Sequence, residues 1–146
     1  MAITQAIANA FKQQLLEGDA NFKNSGGDVF KLALYTSSAT LNSATTAFTT
    51  SNEVANTGTY ASGGGALAGQ NTSIASGVAI VDFADLSFTG VTLTARGAMI
   101  YNTSSAVTNA AVAVLDFGAD KTATSGTFTI QFPAFTTAAA ILRISG

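Results

Sequence analysis

Thr127-Phe128-Thr129-Ile130-Gln131-Phe132 alternates strictly between polar and apolar side chains. Successive side chains of a strand point to opposite faces, so the stretch predicts Phe128, Ile130 and Phe132 inward and Thr127, Thr129 and Gln131 outward. Working outward from it, related patterns recur along the chain. Val29 to Thr36 alternates with Phe30, Leu32 and Leu34 on one face. Val78 to Phe83 is a short apolar strand, and Leu86 to Phe88 and Val91 to Ala95 continue across Thr89-Gly90. Arg96 to Tyr101 predicts a further strand, closed by Asn102-Thr103-Ser104-Ser105. Ala111 to Phe117 is apolar on both faces, and Ala138 to Ile144 reads as a last strand. Short strands punctuated by Gly, Asn and Ser predict a mainly β chain, an antiparallel β-sandwich of jelly-roll-like kind. Strands apolar on both faces need cover on both sides. A second subunit would supply it if the body were a single layer.

Two regions depart from this pattern. Residues 3–17 carry Ile3, Ile7, Phe11 and Leu15 at every fourth position, with Ala6 and Ala10 beside them and Gln5, Asn9, Lys12 and Gln13 off the stripe. That spacing predicts one N-terminal amphipathic helix, stopped by Gly18. Its stripe is narrow, so it packs on its own sheet or on a neighbouring subunit. Residues 37–77 are rich in Thr, Ser, Ala, Asn and Gly, with Glu53 as their only charge. They predict a long surface excursion from the β-rich body at 29–146, with short edge strands near Ala47 to Thr50 and Thr59 to Ala61. The Gly63-Gly64-Gly65 run reads as a flexible turn. The whole chain, 1–146, reads as one domain.

Only 10% of the residues are charged and 47% are hydrophobic, against about 25% charged in ordinary soluble domains. This excludes a disordered chain, and no stretch approaches the roughly 18 consecutive apolar residues of a membrane helix. Thr, Ser, Asn and Gly must solvate the surface, or part of it must be covered in an assembly. The six basic residues are scattered, so no basic stripe stands ready for a phosphate backbone and no nucleic-acid partner is expected. Gln5, Asn9 and Lys12 interrupt any secretory signal. The expectation is a chain made in a cytoplasm that stays there or leaves inside a particle.

The chain has no His and no Cys. It lacks the commonest general base, the commonest transition-metal ligand and any thiolate. The Gly-rich run has no following Lys-Ser or Lys-Thr, so it is no phosphate loop. The remaining candidates are carboxylates. Asp82 with Asp85, and Asp116 with Asp120, could form a glycan-cleaving pair or a calcium site. The favoured reading is that they solvate strand ends or pair with Arg96, Lys121 or Arg143. No catalytic residue, metal ligand or cofactor is therefore assigned. Arg96 shares a face with Thr94, Ala98 and Ile100, so its guanidinium is expected to be partly buried. It would pair with Asp82 or Asp116, or reach across a subunit interface. The candidate interface residues are Ile3, Ile7, Phe11, Leu15 and Arg96.

Segments along the whole chain resemble a family of small structural proteins of tailed bacteriophages. The resemblance rests on Phe11-Lys12-Gln13-Gln14-Leu15-Leu16-Glu17-Gly18, Phe30-Lys31-Leu32-Ala33-Leu34-Tyr35-Thr36 and Thr50-Ser51-Asn52-Glu53-Val54. It continues in Ala95-Arg96-Gly97-Ala98-Met99-Ile100-Tyr101-Asn102, Ala113-Val114-Leu115-Asp116-Phe117-Gly118 and Gly126-Thr127-Phe128-Thr129-Ile130-Gln131-Phe132-Pro133. These are strand patterns and contain no active-site signature. The resemblance implies a virion protein made in the bacterial host cytoplasm. Within that class the expectation is a head decoration (cement) protein bound to the major capsid protein and to itself, as a homo-oligomer, a trimer. The alternative is a tail, collar or fibre subunit.

Overall fold

The computed structural model describes residues 2–146. Its elements, in chain order, are β1 (Ala6–Ile7), α1 (Asn9–Glu17), β2 (Phe30–Tyr35), β3 (Gly65–Ala66), β4 (Asn71–Ala75), β5 (Val78–Asp82), β6 (Leu86–Asn102), β7 (Ala110–Ile130) and β8 (Leu142–Ile144). They form a five-stranded sheet in the order β1-β7-β6-β2-β3 and a three-stranded sheet in the order β4-β5-β8. The strand pairs are antiparallel. The chain is thus mainly β with one short helix near its N-terminus, in keeping with the sandwich class its sequence predicts.

The centre of the large sheet is a ribbon of β6 and β7, of 17 and 21 residues. The sequence carries one pattern across Thr89-Gly90, starts a further strand at Arg96 and assigns no strand between Phe117 and Thr127. The structure keeps the continuity at Thr89-Gly90 and extends the pairing through the other two places as well, by irregular registers that include Phe88/Val91 and Ala95/Gly97. Gly90 and Gly118 adopt φ of 62° and 80°. A bulge lets a strand bend and coil without ending it, so these glycines serve as corners.

Both faces of the ribbon's inner half are covered within one chain. Phe30, Leu32, Ala33, Leu34 and Tyr35 are all buried, as are Ala110 to Val114. On one face Phe30 stacks on Phe22 at 4.4 Å and meets Phe83 at 5.9 Å. On the other, Phe48 stacks on Tyr101 at 4.7 Å, and Ile3 lies over Gly97, where a Cβ would come within 2.9 Å of it. The second cover therefore comes from the N-terminal segment and from residues 37–77, with no second subunit needed at this place.

The N-terminal helix is shorter than its stripe predicts. Residues 2–8 are extended: Thr4 N–H donates to the Leu41 carbonyl, Leu41 N–H to Ala2, and Ala8 N–H to Val112. Ala6 and Ile7 pair with Val114 and Ala113. A run holding Ile3, Thr4 and Ile7 has little intrinsic helix preference, and the open edge of β7 satisfies its backbone groups. The helix starts only after Ala8, and Gly18 ends it in the left-handed region at φ 80°. The predicted last strand is likewise reduced to Leu142–Ile144.

The polar excursion is woven into the core. Ala39, Leu41, Val54, Tyr60 and Leu67 are buried. The strands expected at Ala47 to Thr50 and Thr59 to Ala61 are only single bridges, Ala47 to Ala110 and Thr57 to Tyr60. The paired strands of the region are β3 and β4. Glu53 anchors it. Its Oε1 accepts hydrogen bonds from the Tyr60 hydroxyl at 2.9 Å and from Gly63 N–H at 2.6 Å, and its Oε2 accepts from the Ser62 hydroxyl at 2.8 Å. The Tyr60 hydroxyl in turn accepts from Leu34 N–H at 2.8 Å, and the Tyr101 hydroxyl donates to the Gly63 carbonyl at 2.6 Å. Burial raises the pKa of the Tyr60 and Tyr101 phenols, so they remain neutral donors at neutral pH. The Gly-rich run is accordingly a clamped turn and not a flexible one. Gly64 has φ 78°, and a Cβ on it would lie 1.8 Å from the Leu32 carbonyl oxygen. Glu53→Ala strands several donors at once, and one stranded buried group costs about 1–3 kcal/mol. The substitution is expected to lower unfolding stability by at least that range in urea titration, with Ser62→Ala costing less.

Candidate interaction surface

The structure brings three of the five candidate interface residues to one place. Ile7, Phe11 and Leu15 line a groove of about 330 Å³ between α1 and the β4-β5-β8 sheet, whose contribution includes Ala79, Leu142 and Ile144. Phe11 is buried and meets Phe22 edge-on at 5.9 Å. Leu15 is half-buried against the core, while Ile7 is exposed. The fourth, Ile3, is buried over Gly97 and serves the fold.

The fifth, Arg96, lies on β6. Its Nε donates to Asp116 Oδ1 at 3.1 Å, and both side chains are partly exposed. The acid partner is thus in the same chain, one of the two carboxylates the sequence offers for it. Asp116 Oδ1 also accepts the Gly118 N–H at 2.9 Å. That backbone donor first, and the Arg96 guanidinium second, hold the Asp116 carboxyl below its ordinary pKa.

The groove has apolar neighbours that the sequence pattern does not single out. Leu16 is 92% exposed, Ile74 73% and Ile144 60%. Ile74, Ala79 and Ile144 stand opposite one another across β4, β5 and β8, which makes an apolar row on one side of the small sheet. Leu16 escapes detection because it lies off the fourfold spacing of the helix stripe. Ile74 is the one large apolar residue between Leu67 and Val78, and that isolation is the available signal. Lys12 also lines the groove, whereas the Arg143 side chain, which alternates with Leu142 and Ile144 along β8, donates to the Thr137 carbonyl on the other side of the small sheet.

The acids do not behave as a set. Asp116 and Asp120 lie inside β7 and not at strand ends. Asp85 Oδ1 accepts the Phe132 N–H at 2.8 Å, which ties the segment after β7 to the link between β5 and β6. Asp82 is buried, contrary to the expected solvating role: its Oδ1 accepts Phe83 N–H at 2.9 Å and its Oδ2 has no partner. Among the described residues no group of three or more Asp and Glu is placed to hold a metal ion. No helix among them is long and apolar enough to cross a membrane.

Two outcomes follow from this geometry. Phe11→Ala removes a buried ring between helix and sheet and is expected to cost about 3–5 kcal/mol in chemical denaturation. Asp82 has a different signature. Burial pushes its pKa up, and the Phe83 N–H offsets this only in part. A raised folded pKa means that the folded chain holds the proton more tightly than the unfolded one. Stability is then greatest at low pH and falls as pH rises through the ordinary carboxylate range toward the folded value. The stability of Asp82→Asn relative to the native chain should therefore be higher at pH ~7 than at pH ~3, where both states of the native chain are protonated. Melting curves of the two proteins across that range check the sign. No family model matches the chain, and no curated protein and no solved structure matches it either.

Proposed function

We propose that this chain is a non-enzymatic structural protein of a tailed-phage virion, and within the virion a head decoration protein that binds the major capsid protein. The observation that carries the reading is an uncovered apolar surface on a chain with very little charge. Leu16, Ile74 and Ile144 stand exposed beside an apolar groove, and only 10% of the residues are charged. Contiguous exposed apolar area marks a surface that meets another protein. The chemistry of the side chains agrees: without His or Cys, the chain is better equipped for contact than for turnover. The resemblance to phage structural proteins, spread along the whole chain, supplies the particle in which that contact is made.

In this reading the protein clamps capsomers, and many modest contacts add through multivalency because each copy touches several capsid subunits at high effective concentration. It works as a homo-oligomer, for which the sequence-based expectation is a trimer. Quantitative mass spectrometry of purified particles is the test. A copy number comparable with that of the major capsid protein is expected, and heads lacking the chain should lose their DNA at lower temperature than complete ones. A few copies per particle would move the chain to the tail, collar or fibre. Absence from particles, or release of sugar from host polysaccharide that stops in an Asp→Asn variant, would sink the reading.

A further inference from the structure

We infer that the cleft between the end of β5 and the segment after β7 is a binding pocket for a cation-tipped alkyl chain, and that its occupant is a lysine side chain of the protein on which this chain docks. The inference rests on the docking part of the proposed function and gives that contact one chemically defined anchor. Three observations lead to it.

The first is a carboxylate with part of its hydrogen bonding unmet. Asp82 closes β5 and is buried, with 4% of its surface exposed. Its Oδ1 accepts the Phe83 N–H at 2.9 Å, whereas Oδ2 has no donor. Asn71 stands directly across in the ladder, yet its amide oxygen accepts the Thr72 N–H and its amide makes no bond to Asp82 Oδ2. Buried polar groups are nearly always paired, and an unpaired carboxylate costs more than a neutral group. The free chain bears that cost, and a cation arriving at the carboxylate relieves it.

The second is charge. Asp85 is near enough to repel the Asp82 carboxylate, and no cation lines the cleft. Among the described residues the ion pair present is Arg96–Asp116, at a different place. The negative charge at the end of β5 is thus uncompensated within the chain. Because Oδ2 is shut off from water, solvent screens its pull on a cation at the cleft wall less than it would at an open surface. A calcium ion is the poorer occupant. It takes about 6–8 oxygen ligands, and among the described residues no group of three or more acids is placed to supply them.

The third is the wall. The cleft, of about 320 Å³, is lined by Asp82 and also by Phe83, Pro133 and Phe135. Ligand sites commonly run from about 300 to 1,000 Å³, so this one is sized for a single side chain. Phe135 is 41% exposed, an aromatic ring held at the rim. An alkyl stem packs on such a ring, and a cation is drawn to its face. Apolar walls with one carboxylate set into them match lysine, a flexible apolar stem that ends in a compact charge.

The test uses n-butylammonium, the lysine side chain without its backbone. It is added to the purified full chain and followed by amide chemical shifts, with sodium chloride at equal ionic strength as the reference. Saturable shifts are expected at Gly69, Phe83 and Ala84, which border the cleft. Asp82→Asn should weaken binding about tenfold or more, and that variant is expected to fold because it removes an unpaired buried charge. Phe135→Ala should weaken binding by a smaller factor at a similar melting temperature. The absence of saturable shifts, equal binding by Asp82→Asn, or equal binding of uncharged n-butanol overturns the inference. The same shifts produced by calcium at lower concentration would give the pocket to a metal ion and overturn it as well. Co-sedimentation with purified heads is read separately. The native chain is expected to bind and Asp82→Asn to bind more weakly, and equal binding by the two overturns the lysine anchor. A native chain that takes up butylammonium but binds no head ends the decoration reading and leaves the cation pocket standing.

Discussion

The contact of Phe22 with Phe30, rings parallel and 4.4 Å apart, is the joint on which the two sheets depend. Phe30 begins β2 in the large sheet. Phe83 follows β5 in the small one and meets both Phe30 at 5.9 Å and Phe22 at 6.3 Å. Phe11 closes the column from the helix side and Phe132 from the end of the ribbon. Aromatic pairs of this kind add about 0.5–1.5 kcal/mol each beyond the area they bury. More important is what they fix in space. The column sets how far α1 stands from the small sheet, and that separation is the groove. Its aromatic floor belongs to the core, and only its rim is free to meet a partner.

The polar stretch at 37–77 solves a related problem by other means. With few large side chains, it binds to the body through hydroxyls and one carboxylate. Glu53 gathers Tyr60, Ser62 and Gly63. Thr59 exchanges hydrogen bonds with Thr89, its N–H donating to the Thr89 carbonyl and its hydroxyl accepting the Thr89 N–H. Gly58 permits this close approach, since a Cβ there would lie 2.4 Å from the carbonyl oxygens of Thr89 and Gly90. One face of the sheet is thus covered by segments that would read as loop in any pattern based on apolar spacing.

The strand class was legible because period-two alternation is a direct print of a half-buried strand. Phe128, Ile130 and Phe132 are indeed the buried members of their stretch, and Phe30 to Tyr35 pairs where its pattern places it. Three things were not legible, each for a physical reason. Bulged strands look broken, because a residue with positive φ reads as a turn unless its partner strand is known. A fourfold apolar spacing in residues 3–17 fits a helix, yet Ile3 and Ile7 gain more by pairing their backbone with distant segments than by continuing α1. Of the interaction surface, Ile7, Phe11 and Leu15 came from the stripe. Leu16 and Ile144 required the fold, because exposure is a property of what fails to arrive on top of a residue, and no local pattern records that.

The ribbon shows how a chain so poor in charge keeps an outer surface at all. Exposed positions on β6 and β7 are filled by hydroxyls that pair across the strands: Ser87 with Thr129 at 2.8 Å and Thr94 with Thr122 at 2.9 Å. Ser125 N–H donates to the Thr92 hydroxyl at 3.0 Å, and Thr92 N–H to the Thr57 hydroxyl at 2.9 Å. Such pairs stabilise the ribbon modestly, but their larger consequence concerns contact with neighbours. Removing a charged group from water costs several kcal/mol per ion before any partner repays it. A hydroxyl already bonded to its cross-strand neighbour loses far less when a second surface closes over it. A face tiled this way is wettable when free and inexpensive to cover.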